Sequence, residues 1–482
     1  MSNNIIKLLG FEDPAIEVSG FKDSGNQRII TVSKKAVPTF CPVCESRMHS
    51  KGIYTRTVNH PIMQDGRQII LKLQQRRYKC INPACGYTKN DEFSFVDPGR
   101  RNSNLTDYLL VMAFKDPNMT AAQIAARFNV SDTYAIETFA RYVDMPRRQL
   151  TEAICIDEVY VDINYRCKYA MVIQDFITGE PIDMLPSRRE EFTEPYFASI
   201  PPAQRNRVKY LVTDMYRPYL SFVDKYFPNA VSVIDSFHVV KMINNHLRQY
   251  IMKLIRKYRD IDLAKHEALE QQLGRRIDFT ASKEYYLLKN FQWIILKNND
   301  DINYSSPSRF NHKLRRYLSV GDIEYMLFEI DPALRDLRNL KEKYIRFNRD
   351  YGGKYKEART KLMYIIEDYE GCPYPIFHTI AESLRYHFIP ITNSFIMVER
   401  HCNGNDHVKR LSNGPAEALN RIVKDMKRNG RGYRNFEHLR NRFLFSQRKN
   451  AAILGTPRSR EDACPKTGIK RGPYIKKSKY EK

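Results

Sequence analysis

The feature that most constrains the fold of this chain of 482 residues is the order of strand-like and helix-like runs between residues 152 and 240. Short apolar runs separated by turns such as Thr178-Gly179 predict strands, and amphipathic runs predict helices. The predicted order is strand at 153–161, strand at 168–175, strand at 181–185, helix at 190–199, strand at 208–213, helix at 219–226 and strand at 230–234. A meander of three strands followed by helix, strand, helix and strand is the order of an RNase H-like α/β fold.

Three carboxylates occupy distinct settings in and beyond this segment. Asp157 lies in a strand-like apolar run, Asp214 ends another such run, and Glu417 lies in the first turn of a helix predicted to start near Pro415. Carboxylates at strand ends, joined by one on a helix, can hold two divalent metal ions that stabilise the attacking and leaving oxygens of a phosphodiester. Each acid alone would more often be a turn or surface residue. The prediction of a catalytic site with two Mg²⁺ (or Mn²⁺) ions therefore rests on the combination.

Three further residues near these acids are predicted to support the site rather than to form it. Glu158 directly follows Asp157, and because successive strand residues face opposite ways we predict that Glu158 is either structural or supports the site from behind its ligands. Asp235 and His238 lie where the last predicted strand passes into a helix, and a spacing of three at such a junction can bring the two side chains together. We predict that both assist the catalytic site. A packed histidine that orders the junction is the alternative.

The charge balance indicates a polyanionic partner. The chain has 79 Lys and Arg residues against 55 Asp and Glu residues, which gives a net charge of +24. Such an excess of basic residues favours nucleic acid as the partner. Arg421, Lys424 and Arg428 follow Glu417 at helical spacing, and this fits a track along a DNA backbone. A solvated charged helix face is the alternative.

Four of the nine cysteines form two short-spaced pairs near the N-terminus, namely Cys41 with Cys44 and Cys80 with Cys85. Such pairs let the thiolates of two turns bind one tetrahedral metal ion. We predict one structural Zn²⁺ in a zinc-ribbon-like module over residues 1–100. Unrelated cysteines in a reduced intracellular protein are the alternative. Three basic residues beside the second pair are predicted to contact DNA: Arg76, Arg77 and Lys79.

Residues 101–150 are predicted to hold a helix-turn-helix. Thr120 is the predicted cap of the first helix, Asn129-Val130 the turn, and Ser131 the cap of the second helix. The first residues of this second helix are predicted to face a DNA groove: Ser131, Asp132, Thr133 and Tyr134. An ordinary helical hairpin is the alternative.

Helical periodicity dominates residues 241–408, which we interpret as an all-helical insertion ahead of the Glu417 helix. Trp293, the single tryptophan, lies in it; a core position is the favoured interpretation, and stacking on DNA is the alternative. The catalytic domain is thus predicted in two parts, 151–240 and 409–455. A basic, disordered tail is predicted at 456–482.

The order and setting of these motifs resemble those of the DDE transposases of bacterial insertion sequences, in particular the ISL-three group. The resemblance covers nearly the whole chain, including Ile156-Asp157-Glu158, Thr213-Asp214-Met215, Asp235-Ser-Phe-His238, Phe291–Lys297, Ser412–Lys424 and Gly432–Phe436. It implies a multidomain α+β protein whose RNase H-like domain carries a helical insertion. It also implies a catalytic triad of Asp157, Asp214 and Glu417, with Asp235 and His238 secondary. Ala418 stands where the family more often has Gly, a small departure that leaves the helix intact.

The resemblance further implies binding to the terminal inverted repeats of an insertion sequence, metal-dependent DNA cleavage and strand transfer. Because two ends must be held together, we expect a homodimer or larger assembly on double-stranded DNA. A non-catalytic DNA-binding regulator derived from a transposase and an RNase H-like nuclease are the alternatives. No apolar run is long enough to span a bilayer and no secretion signal is evident. We therefore expect no membrane partner and a cytoplasmic, nucleoid-associated bacterial protein.

Overall fold

The computed structural model describes residues 9, 11, 13–62, 66–163, 167–402 and 404–464. The chain divides into two compact units, one formed by residues 1–146 with 422–482 and the other by residues 147–421. Both contain a β-sheet and helices, so the architecture is multidomain α+β, as predicted.

The first unit opens with a six-stranded sheet. Its spatial order is β1-β2-β5-β4-β3, with β6 paired to β5. The strands are β1 Ile16–Ser24, β2 Gln27–Lys34, β3 Thr39–Phe40, β4 Arg47–Ile62, β5 Gln68–Cys80 and β6 Thr88–Asn90. Alternate apolar residues of β2 and β5, such as Val32, Leu71 and Leu73, are fully buried in one core cluster.

Three helices follow this sheet: α1 Asn104–Ala113, α2 Ala121–Arg127 and α3 Asp132–Tyr142. Thr120 caps α2 in a capping box with Gln123. The Ser131 hydroxyl caps α3 by accepting the backbone N–H of Tyr134 at 3.1 Å. Asn129 between them has a φ of 51°, a left-handed conformation that asparagine tolerates better than most residues. The two caps and the turn predicted from the sequence are confirmed.

The second unit opens with a five-stranded sheet in the order β11-β10-β7-β8-β9. Strands β7, β8 and β9 are antiparallel neighbours, whereas β10 pairs in parallel with β7 and with β11. The elements are β7 Ala153–Tyr160, β8 Tyr169–Asp175, β9 Pro181–Leu185, α4 Glu190–Ala198, α5 Pro202–Arg205, β10 Tyr210–Thr213, α6 Arg217–Tyr226 and β11 Val231–Ile234. Apart from the short helix α5, this is the predicted order, with bounds that differ by at most two residues.

A long helix continues the chain from β11, and further helices pack against it. They are α7 Ser236–Leu273, α8 Lys283–Phe291, α9 Trp293–Leu296, α10 Val320–Ile330, α11 Ala333–Asp350, α12 Tyr355–Glu370, α13 Pro375–Tyr386 and α14 Phe388–Asn393, with a short 3₁₀ turn at Asn299–Asp301. The buried face of α7, which includes Ile243, Leu247 and Ile251, belongs to a large apolar cluster with these helices. The predicted helical periodicity of α7 is therefore confirmed.

The prediction of an all-helical insertion is wrong at two places, because two hairpins interrupt it. One pairs β12 Arg309–Asn311 with β13 Arg316–Leu318, and the other pairs β14 Met397–Cys402 with β15 Asn405–Arg410. All four strands are short, and most of their residues are at least partly exposed. A two-stranded ribbon of this kind lacks the alternation of apolar and polar residues from which strands are predicted.

The chain ends with α15 Gly414–Asn429, α16 Phe436–Gln447 and α17 Arg460–Ala463. Part of the predicted disordered tail is therefore structured. Arg458 Nη2 donates to the carbonyl oxygen of Ala140 at 2.6 Å, and the Arg458 backbone N–H donates to the carbonyl oxygen of Arg141 at 2.9 Å. The rest of that tail, 465–482, lies outside the described residues. Within the described part of the chain, no helix is both long enough and apolar enough to cross a membrane.

Candidate functional site

Strand β7 presents two different surfaces at its C-terminal end. Cys155 packs with Ala416 of α15 in one buried cluster, whereas Ile156 packs in another cluster with aromatic side chains of α4 and α6. Because side chains alternate along a strand, Asp157 shares the surface of Cys155, and Glu158 shares the surface of Ile156. The two adjacent acids therefore have separate environments.

On the first surface, Asn420 of α15 holds Asp157. Asn420 is 4% exposed, and its Nδ2 donates to Asp157 Oδ2 at 2.8 Å and to the Glu158 carbonyl oxygen at 3.2 Å. Both partners are acceptors, so the amide nitrogen must face them rather than the amide oxygen. Asp157 Oδ1 accepts the backbone N–H of Glu158 at 2.8 Å. These bonds fix the Asp157 carboxylate, and Glu417 lies one helical turn before Asn420 on the same face of α15.

Electrostatic coupling links Asp157 to the other predicted acids. Burial is the main cause that raises the pKa of Asp157 to about 6, and the negative charges of Asp214 and Glu417 raise it further. His238 and the backbone N–H of Glu158 act in the opposite direction. The structure thus brings Asp214, Glu417 and His238 into the environment of Asp157. The carboxylate oxygens of the three acids are not all within 4.8 Å of one another. Among the described residues, only a group of four cysteines has its possible metal-binding atoms that close together.

Asp214 and Asp235 each shape the backbone around the site. Asp214 Oδ1 accepts the backbone N–H of Tyr216 at 2.9 Å, which orders the turn after β10. Asp235 caps α7 by accepting the Phe237 N–H, and its other oxygen accepts the backbone N–H of Asn413 at 2.6 Å. Since Asn413 directly precedes α15, Asp235 positions the start of the helix that carries Glu417.

His238 belongs to the first turn of α7 and has a buried Nε2 that makes no hydrogen bond within the described structure. Its side chain influences Asp157 electrostatically. The His238 backbone N–H donates to the backbone carbonyl oxygen of Asp235 at 3.1 Å. The Asp235 carboxylate accepts the N–H groups of Phe237 and Asn413 and the Ser236 hydroxyl. The direct contact between the two side chains that their spacing suggested is not among the described hydrogen bonds, and the assisting role of both residues stays a prediction.

Glu158 has the structural role that was predicted for it. Arg188 Nη1 donates to both Glu158 carboxylate oxygens, at 2.9 and 2.8 Å, and the Tyr219 hydroxyl donates to Oε1 at 2.5 Å. The Glu158 side chain is only 12% exposed. A carboxylate with these partners is fully engaged within the protein.

Asn420 and Asn413 were missed by sequence reasoning. Asn420 follows Glu417 by three residues, so helical spacing was a usable signal for a shared face. No comparable signal identified Asn413, which is buried because Asp235 binds its backbone from a distant part of the chain.

The four predicted cysteines come together in the first unit. Sγ of Cys41 lies 3.6 Å from Sγ of Cys85, Sγ of Cys44 lies 3.4 Å from Sγ of Cys80, and all four sulfurs lie within 4.8 Å of one another. A tetrahedral zinc with bonds of about 2.3 Å places its sulfurs roughly 3.8 Å apart. Disulfide sulfurs would instead be separated by about 2.0 Å. The donor set therefore fits a tetrahedral metal ion such as Zn²⁺.

Comparison with known proteins identifies the family of this chain. The sequence model of the ISL3 group of DDE transposases, described as "Transposase", matches residues 154–443, which include all three acids. The chain belongs to this transposase family. It is also 23% identical over 303 residues to the transposase for insertion sequence element IS1001 of Bordetella parapertussis, an alignment that covers 61% of this chain and 67% of that protein.

The predicted recognition helix of the transposase is only partly free to bind. Ser131, Asp132 and Thr133 are exposed at the start of α3. Tyr134 instead donates its hydroxyl to Asp107 Oδ1 at 2.7 Å, and burial raises the pKa of Asp107 to about 6. Tyr134 therefore anchors α3 to α1, a role that the sequence did not suggest.

The basic residues predicted near the second cysteine pair do not form one patch. Arg77 and Lys79 are two residues apart on β5 and share a face, whereas Arg76 lies on the other face. The Arg76 backbone N–H donates to Asp91 Oδ2 at 3.0 Å. On α15, in contrast, Arg421, Lys424 and Arg428 are all exposed, although Arg428 forms an ion pair with Asp425 at 2.5 Å.

Trp293 is 41% exposed at the start of α9, so the favoured interpretation of a core tryptophan is wrong. Its neighbours Ile294 and Ile295 are fully buried. These apolar neighbours suggested a core position from sequence, but in a helix the next residues lie on a different face from the indole.

Proposed function

We propose that the transposase cleaves the ends of an insertion sequence and joins them to target DNA in a metal-dependent reaction at Asp157, Asp214 and Glu417. One observation carries the proposal. Asp157, in the second half of β7, lies in the electrostatic environment of two other acids: Asp214, which directly follows the parallel neighbour β10, and Glu417 in the first turn of α15. Two long-range hydrogen bonds bring α15 to this end of the sheet. Asn420 donates one to Asp157, and the backbone N–H of Asn413 donates the other to Asp235.

The sheet supports an RNase H-like catalytic domain. A central β7 with an antiparallel meander on one side and parallel strands on the other is the arrangement expected of that fold. In such α/β sheets, functional groups collect at the C-terminal ends of the strands. Asp214 directly follows β10, and Asp157 lies in the second half of β7.

The all-carboxylate donor set fits Mg²⁺ or Mn²⁺, which prefer oxygen ligands. The three acids would hold two such ions, which would supply charge stabilisation for the attacking and leaving oxygens of a phosphodiester. The contribution of the protein is to keep Asp157 oriented through Asn420 and the Glu158 backbone. Asp235 keeps the start of α15 in place. Water first hydrolyses the phosphodiester at the element end, which leaves a 3′-hydroxyl and a 5′-phosphate. The 3′-hydroxyl then attacks a target phosphodiester and displaces the 3′ oxygen of the target strand.

Recognition of the terminal inverted repeats is assigned to the first unit. The four-cysteine site, holding one structural Zn²⁺, stabilises a module that docks on DNA, and α3 presents Ser131, Asp132 and Thr133 to a groove. The net charge of +24 supports binding to double-stranded DNA. Because two ends must be joined, the active form is a homodimer or a larger assembly on DNA.

The test is a cleavage and strand-transfer assay on DNA that carries the ends of the element, with Mg²⁺ and with EDTA. Wild-type protein should cleave and join only with the metal ion, and Asp157→Asn and Glu417→Gln should do neither while still binding the ends. Glu382→Gln, at an exposed helical position of the same unit, is the matched control. Cleavage without joining would favour the RNase H-like nuclease. Tight end binding without cleavage would favour the DNA-binding regulator.

A further inference from the structure

A short hairpin with a high density of positive charge lies among the helices of the second unit. It consists of β12, β13 and the connecting residues 312–315, and we name residues 309–318 the basic hairpin. The surrounding sequence, residues 302–321, contains no acidic residue. Four exposed cations belong to the basic hairpin, and none of them forms an ion pair with another residue that the structure describes: Arg309, Lys313, Arg315 and Arg316. Their charge is therefore available to a partner.

One side of the basic hairpin is anchored to the helices. Leu318 is buried in their apolar cluster, and Leu314 packs against the same cluster. Asn311 Nδ2 donates to the Tyr286 hydroxyl of α8 at 3.2 Å, and Asn311 Oδ1 accepts the Leu314 backbone N–H at 3.0 Å. These contacts fix the connection between the strands. A backbone that is fixed before a partner arrives loses little conformational freedom when the partner binds.

The other side of the basic hairpin is open to solvent. Phe310 and Tyr317 are cross-strand partners, and their rings make an edge contact with centroids 5.3 Å apart. Because side chains alternate along a strand, this pair lies on the face opposite to Leu318. Cross-strand aromatic pairs stabilise a ribbon, which matters here because a ribbon of only two strands is marginally stable alone. The pair and the buried Leu318 together maintain the hairpin without a third strand.

The charge and the width of the basic hairpin fit duplex DNA. A two-stranded ribbon fits the major groove, which is about 12 Å wide and has phosphates along both edges. Arg309 belongs to β12, Arg316 belongs to β13, and the connection carries the other two cations, so both strands and the turn can contact phosphates. Asn311, whose amide could otherwise contact a base, is bound to Tyr286. Membership of a transposase family favours DNA over an acidic protein as the partner.

We propose that the basic hairpin enters a groove of duplex DNA and binds its phosphates independently of the base sequence. This inference rests on the proposed function, in which duplex DNA is the substrate, and adds a DNA contact separate from α3 and from the three acids. Since every duplex has the same phosphates, the hairpin binds element ends and target DNA alike. Loss of its cations therefore weakens binding to both.

The test measures affinity for two duplexes of equal length, one with the element end and one of unrelated sequence, in EDTA and at several salt concentrations. Lys313→Gln combined with Arg315→Gln should weaken binding of both duplexes by roughly 10- to 60-fold near 0.1 M salt. The slope of log affinity against log salt concentration should become shallower by about 1.8, because two phosphate contacts are lost. Lys313→Arg combined with Arg315→Lys keeps the charges and should retain the affinity and the slope.

A matched control removes the same charge elsewhere in the second unit. Lys356→Gln combined with Lys361→Gln neutralises two exposed cations of α12 and should leave the affinity and the slope unchanged. Thermal unfolding of each variant excludes a folding defect as the cause.

An equal loss of affinity for the two duplexes, together with the shallower salt slope, would support the inference. A loss confined to the element end would overturn sequence-independent binding. An unchanged salt slope, or a loss that the α12 control reproduces, would overturn the hairpin as a DNA contact. Because EDTA prevents metal-dependent cleavage, these results do not depend on the activity of the acids. Wild-type protein that binds through the hairpin but cleaves no DNA with Mg²⁺ would contradict the proposed function alone.

Discussion

The cysteine site and the carboxylate site of this transposase differ in how completely the protein forms them. The four sulfurs already have near-tetrahedral spacing, whereas the three acids are coupled but more widely spaced. A closed set of four protein ligands is typical of structural zinc, and a catalytic site must leave positions for substrate. The difference matches the two proposed roles, namely a metal site that stabilises the first unit and a carboxylate site that binds DNA between its three acids.

The largest effect should follow loss of the cysteine site. Cys44→Ser or Cys80→Ser should remove the metal ion and destabilise the N-terminal module by several kcal/mol, since zinc binding contributes directly to folding. Metal content by mass spectrometry and thermal unfolding measure both effects. Cys372→Ser, at a cysteine outside the cluster, is the control. An unchanged zinc content in the Cys44 variant would contradict the closed-site interpretation.

Loss of one acid should affect catalysis and leave stability almost unchanged. Asp214→Asn should reduce the cleavage rate at least about a thousand-fold, because a neutral amide neither binds nor balances the metal charge well. End binding and zinc content should stay at wild-type levels, which separates the two sites. A variant that keeps more than a tenth of the wild-type rate would remove Asp214 from the catalytic set.

Asn420 should have an intermediate effect. Asn420→Leu removes the donor to Asp157 and should reduce the apparent Mg²⁺ affinity in cleavage by about 10- to 100-fold, as is typical for partners of metal ligands. Excess Mg²⁺ should recover part of the rate, a recovery that Asp214→Asn should not show. A rate loss that no Mg²⁺ concentration changes would assign Asn420 to folding alone.

The smallest effect should be a dependence on pH. Because the pKa of Asp157 is raised to about 6, its carboxylate gains a proton as the pH falls through that value. Metal affinity should therefore weaken about tenfold per pH unit below roughly 6. The free energy of unfolding changes with pH in the opposite direction to the metal affinity. The folded state takes up the proton more readily than the unfolded state, so the contribution of Asp157 to stability decreases as the pH rises from about 4 to 6.

These trends are measured by Mg²⁺ titration and by urea unfolding between pH 4 and 8, with Asp157→Asn subtracted as the background. The subtraction is necessary because burial also raises the pKa of Asp107 to about 6. Mg²⁺ affinity that is constant from pH 5 to 7 would show that Asp157 is not a titrating ligand.

The sequence alone predicted the structure correctly wherever a local pattern of residues determines it. The strand order around β7 follows from continuous apolar runs, and the caps of α2 and α3 follow from Thr120 and Ser131. The cysteine spacing predicted a cluster that the structure confirms. The positions of Asp157, Asp214 and Glu417 were predicted in the same way, while their catalytic role stays a proposal.

The sequence alone did not predict the structure wherever contacts between distant parts of the chain determine it. The Asn420 bond to Asp157 and the Asp235 bond to Asn413 each join residues more than 170 positions apart, and no local pattern encodes them. The polar hairpin β14–β15 lacks the apolar alternation of a buried strand. Tyr134 and Trp293 were misjudged because neighbouring residues do not show where one side chain points.

The most direct test of the central claim is to locate the metal ion within the folded protein. Fe²⁺ substituted for Mg²⁺ generates hydroxyl radicals that cut the backbone beside the ion, and the cut positions identify the segments that surround it. We predict cuts near Asp157, Asp214 and Glu417 together, suppressed by excess Mg²⁺ and lost in Asp157→Asn. Cuts confined to one of these segments, or cuts that Asp157→Asn leaves unchanged, would contradict a shared metal site.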